Sequence, residues 1–567
     1  MRWLKVFWSK SLIFHAITTA WIAGVATPLS AAETAPAPDV TASVRRGRAI
    51  YLQKCVLCHQ MNGEGVPGVY PPLARSSYLT TAPDRAIQAL CEGLNGEIEV
   101  NGRTYAGAMP PQLLDDAGVA DVLTFVGQSW GNAVPAVLPD HVKTIRAKSA
   151  FPTFAALQSS LAYPPIPAAT ADLQLREVIR LPFRGVRLTP DAVGKGLYVL
   201  GQTGDVWHLD VTTARLRQIL WGDRYREKRP GDLGGPLFVL AMAMDPEGRL
   251  LIGSNQQNES TKPFQNIVTI YRTTTTREGH PAEPKPWFQT NYPGNAAYVH
   301  GLENIAFGPD GALYVGNGAR TDAGQTGDTG DWYGGGETSI TSSIWRLDPK
   351  QEKPQLEIYA RGVRNAYGFC WNDRGEMIAS ENGPDADAPE ELNWIRPGRH
   401  YGFPYRFGSK PANAYAGAPA PPAPAGLQFT DPVVNLGPDG GFAGEPISTF
   451  DPHSCPGGII YLNGKFPESL RESFLMPRFG NFIRSPKPNS GFDLLRIRLK
   501  KQADGEYGAE VKSLFTGLGR PIDICLMRNG RIFICEFTRA TDSTGSQDPS
   551  GRIIELTPTT GGAFLRP

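Results

Sequence analysis

From about residue 175 onward the apolar positions fall in short runs that a turn divides and a second run follows. Leu188-Thr189-Pro190-Asp191 followed by Gly196-Leu197-Tyr198-Val199 reads as strand, turn, strand. The pattern returns in Met242-Ala243-Met244-Asp245-Pro246-Glu247-Gly248-Arg249-Leu250-Leu251-Ile252 and in Ile305-Ala306-Phe307-Gly308-Pro309-Asp310-Gly311-Ala312-Leu313-Tyr314-Val315. It returns again in Phe369 to Ile378, more loosely in Gly458 to Met476, and last in Asp523 to Ile534. Some copies trail a short strand, such as Ile344-Trp345-Arg346-Leu347-Asp348 or Ile553-Ile554-Glu555-Leu556. Six hairpins of this kind predict a six-bladed β-propeller, because one small sheet cannot cover both of its faces and blades do so by stacking round an axis. A sandwich built of the same hairpins is the alternative. Irregular spacing between copies means that long loops project, and such loops carry function.

Upstream the period changes to that of helices. Ser43 is placed to cap a helix through Val44 to Tyr51. A second helix is expected from Pro83, with Ala86, Ile87, Ala89 and Leu90 apolar, and a third from Asp116 to Ser129, with Val119, Val122, Leu123 and Val126 in register. The chain thus divides into a small all-α domain over 41–132, an Ala/Pro-rich linker over 133–172 with one short helix near Phe154 to Leu161, and the propeller over 173–560. The overall class is mainly β.

Composition sharpens this picture. With 567 residues, 63 Gly and 50 Pro, the chain is too long for one core and rich in turns. A net charge of +1 gives no nucleic-acid surface. The first 32 residues read as a signal peptide: Arg2, Lys5 and Lys10, then an apolar stretch from Ser11 to Ala26, then Ser30-Ala31-Ala32, with cleavage before Glu33. An uncleaved anchor helix is the alternative. Residues 33–40 form a short tether.

The chemistry begins inside the helical domain. Cys55-Val56-Leu57-Cys58-His59 is the pattern to which haem c is covalently attached: Cys55 and Cys58 form thioethers and His59 supplies the proximal iron ligand. That attachment is made outside the cytoplasm, so it agrees with export to a bacterial periplasm. Met61 is too close to His59 to reach round the ring. Met109, in Gly107-Ala108-Met109-Pro110-Pro111, is the candidate sixth ligand, and the plainer reading is a core methionine. Tyr51 to Asn132, with Gly93-Leu94-Asn95-Gly96 and Val100 to Tyr105, resembles the cytochrome c of bacterial periplasmic alcohol and sugar dehydrogenases.

Three loops of the propeller region stand out. Tyr298-Val299-His300-Gly301-Leu302-Glu303-Asn304 offers a general base in His300. Arg361-Gly362-Val363-Arg364-Asn365 offers Arg364 and Asn365 to a carboxylated ligand. Glu381-Asn382-Gly383-Pro384-Asp385-Ala386-Asp387 offers oxygen ligands to Ca²⁺. Each taken singly is more often a structural or surface feature than a site. Their order and spacing resemble the soluble glucose and sorbosone (aldose sugar) dehydrogenase family over about 175–560, a six-bladed propeller that binds pyrroloquinoline quinone (PQQ) and Ca²⁺.

That resemblance implies His300 as catalytic base, Arg364 and Asn365 at the quinone, and Asn382 in the loop whose Gly383 and Pro384 carbonyls bind Ca²⁺. It implies Arg520, in Gly519-Arg520-Pro521, as a cofactor-binding Arg, and Arg478 as the counterpart of a Lys. The family's second Arg falls at Ile522, which cannot bind a carboxylate, and Arg484 is the candidate substitute. Pro411 to Phe429 is an Ala/Pro-rich insertion at the pocket.

The expected function is a periplasmic dehydrogenase that oxidises a sugar, aldehyde or alcohol and passes electrons through its own haem to a periplasmic or membrane acceptor. The rival is a non-enzymatic electron carrier whose propeller binds a protein and lacks PQQ. An eight-bladed quinohaemoprotein alcohol dehydrogenase fits less well, since it carries its cytochrome at the other end and a vicinal Cys pair. The remaining cysteines, Cys91, Cys370, Cys455, Cys525 and Cys535, are expected to be buried thiols. With a two-residue Asn529-Gly530 turn, Cys525 would oppose Ile534, placing Cys525 and Cys535 on opposite faces. His453 is the other histidine expected near the pocket.

Overall fold

The haem-attachment stretch folds at the junction of two helices, Val40–Lys54 (α1) and Val56–His59 (α2). Four more helices follow in the computed structural model: Ser77–Thr81 (α3), Pro83–Glu92 (α4), Asp116–Gly127 (α5) and Pro139–Ala147 (α6). The structure describes residues 40–60, 62–65, 70–94, 97–106, 109, 112, 114–148, 164–225, 237–258, 265–275, 279–294, 300–326, 336–385, 387–412, 422–442, 445–481, 490–538, 551–561 and 563–565. The leader, most of the tether, Met61, Arg484 and the short helix expected at 154–161 lie outside them. No described helix is long and apolar enough to cross a membrane.

Pro83 opens α4 as expected, and Asp115 caps α5 by accepting the Gly118 N–H at 2.7 Å. Ser43 does not cap α1. It lies inside that helix and donates to Asp121 at 2.6 Å, beside Arg46, which holds both Asp121 oxygens at 2.6 and 2.8 Å. The carboxylate on the facing helix outcompetes the backbone for the hydroxyl. The crossing of α1 on α5 is close because Gly47 has no side chain, and a Cβ there would overlap the Asp121 carbonyl. Gly47→Ala should therefore lower the stability of the helical domain by about 1–3 kcal/mol, read from the thermal midpoint of the haem Soret band. The expected linker also contributes more than a tether, since Val142 and Ile145 of α6 are buried in the same core as α4 and α5. Apolar faces at helical spacing in 139–147 drive that docking.

Apart from two short hairpins, Ile98–Val100 with Arg103–Tyr105 and Arg406–Phe407 with Lys410–Pro411, the described sheets form six blades. Blade one comprises Gly185–Pro190, Gly196–Gly201, Val206–Asp210 and Arg215–Leu220. Blade two comprises Leu237–Met244, Leu250–Asn258, Gln265–Thr275 and Pro281–Pro293, and blade three Leu302–Phe307, Leu313–Asn317, Ser343–Leu347 and Glu357–Arg361. Blade four has three strands, Gly368–Trp371, Met377–Glu381 and Glu391–Ile395. Blade five has Ile460–Leu462, Ser473–Arg478, Asp493–Lys501 and Tyr507–Thr516, with Val434–Pro438 added in parallel at its outer edge. Blade six joins Pro521–Leu526, Ile532–Glu536 and Arg552–Pro558 to a strand from the other end of the propeller, Leu173–Arg180. The first strands of successive blades are neighbours all the way round, so the ring is closed.

The hairpins turn alike. Gly308 N–H donates to the Ala312 carbonyl at 2.9 Å and Met527 N–H to that of Arg531 at 2.9 Å. Gly311 and Gly530 take φ of 76° and 81°, which favours glycine at those corners. The last hairpin therefore closes over three residues, Arg528 to Gly530, not two. Cys525 pairs with Phe533 and Cys535 with Asp523. This slip of one residue brings both cysteines into one buried cluster on the same face, the reverse of the expectation. No disulfide joins any of the seven cysteines.

At the centre of the ring Arg187 of blade one ties the blades together. Its guanidinium donates to the carbonyls of Leu240 (3.2 Å), Glu303 (2.8 Å) and Tyr367 (3.1 Å) and to the Asp523 carboxylate (3.1 Å), and it lies 4.4 Å from the centroid of the Tyr367 ring. The other Asp523 oxygen accepts the Leu188 N–H at 2.7 Å.

Candidate haem cavity and propeller site

Cys55, Cys58, His59 and Met109 line one cavity between the helices, with an otherwise largely apolar wall that includes Leu79, Leu90, Val122, Leu123 and Val126. His59 is 9% exposed, and its Nδ1 lies 2.9 Å from the Pro71 carbonyl. That bond takes the Nδ1 proton and leaves the Nε2 lone pair for a metal. Burial holds the imidazole below its usual range, against the opposing pull of the same bond, so the neutral, ligating form is favoured. Met109 is held across the cavity wall by a two-way backbone bridge with Leu94, at 2.7 and 2.9 Å. The chemistry of this donor set fits haem c: two thiols, an oriented imidazole and a thioether in an apolar cavity.

In the propeller, His300 begins blade three. Its N–H donates to the Ala319 carbonyl at 2.9 Å, and its Nδ1 lies 2.8 Å from Oε1 of Glu303, which is buried. The carboxylate fixes the Nδ1–H tautomer, so Nε2 is the basic nitrogen. Asn365 packs its amide against the ring edge, with Nδ2 3.2 Å from Nδ1. The Asn365 carbonyl accepts the Asn382 N–H at 3.0 Å, which brings the second and third loops together. Glu303 attracted no attention in the sequence. Its position three residues after His300 is the only local signal.

Arg364 is engaged within the chain. Only 1% exposed, it donates through Nε and Nη2 to the carbonyl and carboxylate of Asp322, both at 2.7 Å, and through Nη1 to the Asn382 carbonyl at 2.7 Å. Its backbone N–H is bonded to Glu381. Arg364 thus ties Asp322 to the 382–384 loop, a carboxylate being a stronger partner for a buried guanidinium than an open site. Asp322 in turn accepts the Asp385 N–H at 3.0 Å.

Gly383 N–H donates to Glu390 at 2.6 Å, and Pro384 is buried. Burial pushes the Glu390 carboxyl up to about 8, against the pull of the Gly383 and Cys455 N–H groups. His453 reaches the same loop, bonding Asp387 at 2.9 Å from a left-handed backbone (φ 59°).

The other two arginines are also held inside the protein. Arg478 grips both Asp493 oxygens at 2.9 and 2.6 Å, and Arg520 donates to the carbonyls of Gly480 and Asn481 at 3.2 and 3.1 Å between the rings of Phe479 and Phe492. Arg520 is fully buried and ties the entry of blade six to the loop between the second and third strands of blade five. Arg478 lies nearer to the site: its backbone bridges Pro456, whose carbonyl accepts from Asn382 Nδ2 at 3.3 Å. Ile522 packs among apolar side chains, as its chemistry requires.

Among the described residues, three buried atoms here have no hydrogen-bond partner: Asn365 Oδ1, Asn382 Oδ1 and Arg478 Nη1. Two acceptors beside Asp322 and the 383–384 carbonyls fit a hard divalent cation, and the remaining N–H fits an anionic group.

Residues 254–479 match the family described as glucose/sorbosone dehydrogenase, and residues 44–130 match cytochrome c. Cytochrome c-552 of Thermus thermophilus is 40% identical over 116 residues, 19% of this chain and 88% of that protein. Quinoprotein glucose dehydrogenase B of Acinetobacter calcoaceticus is 33% identical over 78 residues, 14% of this chain but 16% of that protein. The PQQ-bound aldose sugar dehydrogenase of Streptomyces coelicolor superposes with a TM-score of 0.46 and 21% identity, covering 69% of this chain and 100% of that one. The chain therefore belongs to the cytochrome c family over residues 44–130 and carries, in one polypeptide with it, a domain of the glucose/sorbosone dehydrogenase family over residues 254–479.

Proposed function

We propose that this chain is a quinohaemoprotein dehydrogenase that oxidises a sugar, aldehyde or alcohol at the propeller and passes the electrons to its own haem c. The observation that carries this reading is the His300–Glu303 pair, 2.8 Å apart, next to the two unpartnered amide oxygens of Asn365 and Asn382. When bound, PQQ with Ca²⁺ supplies a two-electron acceptor polarised by a Lewis acid. Gly383 and Pro384 would hold the cation through their carbonyls, with Asn382 Oδ1 beside them, and Asn365 and Arg478 Nη1 would meet the quinone.

The chain's own work is acid–base and positional. His300 Nε2 takes the hydroxyl proton of the substrate or of a hydrated aldehyde while the carbon-bound hydrogen leaves as hydride. Glu303 stabilises the imidazolium so formed. Arg364, Asp322 and Glu390 hold the 382–385 loop in place. In the helical domain Cys55 and Cys58 would carry the haem, and His59 and Met109 would be the protein ligands to its iron. The haem is then an outlet towards a periplasmic or membrane acceptor. Periplasmic export rests on the N-terminal pattern and on the extracytoplasmic chemistry of haem attachment.

The test is a substrate panel on haem-loaded protein supplied with PQQ and Ca²⁺, with haem reduction followed by absorbance. Reduction by at least one aldose, aldehyde or alcohol, lost when Ca²⁺ is chelated, is the expected result. Failure of the whole panel would favour the electron carrier with a protein-binding propeller.

A further inference from the structure

The haem cavity contains a polar atom that the axial and thioether chemistry leaves unused. Ser76 lines this cavity and is 1% exposed, and its Oγ has no hydrogen-bond partner among the described residues. A hydroxyl buried in a mostly apolar wall costs free energy unless an acceptor meets it. Its placement is enforced. Asn132 accepts the Ser76 N–H through Oδ1 at 3.1 Å and donates through Nδ2 to the carbonyls of Leu73 (2.7 Å) and Val126 (2.9 Å). One side chain thereby fixes the turn before α3 against the end of α5.

Haem c presents few polar groups. Its iron is matched by His59 and Met109 and its vinyl carbons by Cys55 and Cys58. The two propionate carboxylates are what remain, and they are acceptors only. We propose that the Ser76 hydroxyl is a carboxylate-binding group that donates a hydrogen bond to a haem propionate, with Asn132 as the residue that positions it. The bond is charge-assisted, so it is among the stronger ones a hydroxyl can make. By drawing off part of the propionate's negative charge it favours ferrous haem. This inference does not depend on the quinone reading.

The test uses the full-length, haem-loaded protein. Ser76→Ala should lower the haem midpoint potential, moving the ratio of oxidised to reduced haem at a fixed potential by roughly two- to tenfold. It should also shift the propionate bending band in the resonance Raman spectrum, while the axial ligand bands stay in place. Ser76→Cys, of similar volume and a weaker donor, should fall between the two, and it serves alone if the Ala variant loses haem. An unshifted propionate band overturns the proposal, whether or not the potential moves, and assigns the hydroxyl to a buried water or to packing.

Discussion

His300→Gln should slow substrate-driven haem reduction by about 10²- to 10⁴-fold while leaving the haem spectrum and the fold unchanged, because general-base assistance is typically worth that much. Gln keeps the length of the side chain and its polarity, and it cannot take up a proton. The ring is poised for the task by the Glu303 carboxylate, 2.8 Å from Nδ1, which holds the tautomer in which Nε2 is basic. Steady-state rates with a substrate that reduces the parent's haem are the measurement. The haem lies in a different domain and has its own ligands, so reduction by dithionite should proceed as in the parent. A variant that turns over at the parental rate would remove His300 from the reaction.

Arg187→Met should destabilise the propeller by about 3–5 kcal/mol, the range for removing one partner of a buried ion pair. Arg187 and Asp523 are 4% and 3% exposed, and the substitution would leave the carboxylate buried with only the Leu188 N–H beside it among the contacts described above. Three backbone carbonyls from other blades would lose their donor as well. The guanidinium-chloride midpoint, followed by tryptophan fluorescence, should drop accordingly. Replacing both partners, Arg187→Met with Asp523→Leu, should recover much of the loss, since it removes the stranded charge. An unchanged midpoint in the single variant would show that the hub contributes no net stability.

Much of this architecture is legible in the chain because its local signals agree with the final structure. Pro-Asp-Gly and Asn-Asp-Arg-Gly corners sit between apolar runs, and those corners became the hairpin turns. Cys55 to His59 is legible for a similar reason: its chemistry depends on spacing within five residues. What is not legible is whatever depends on a distant partner. Nothing near Leu173–Arg180 says that it will pair with Arg552–Pro558, and nothing near Val434–Pro438 says that it will lie beside Tyr507–Thr516.

The arginines show the same limit. Arg364, Arg478 and Arg520 look alike as candidates for an anionic cofactor. Which of them faces a ligand is decided by Asp322, Asp493 and the Gly480 carbonyl, which are 42, 15 and 40 residues away. The misjudged cysteine faces turn on a subtler point. The hairpin lies where the chain predicts it, yet a single extra residue in its turn reverses the side chains of one strand relative to the other. Glu303 and Ser76 carry no mark in the sequence, because an ordinary polar residue acquires meaning only from burial.

The closing seam of the ring has a mechanical consequence. Leu173 pairs with Pro558 and Arg180 with Arg552, so the helical domain enters, and the C-terminal tail leaves, at the same end of one antiparallel strand pair. Tension between those two ends would part the ladder one rung at a time, as a zipper opens, instead of loading all its rungs together in shear. The molecule's weakest direction under force is thus set at the strand pair adjoining the segment that leads from its cytochrome.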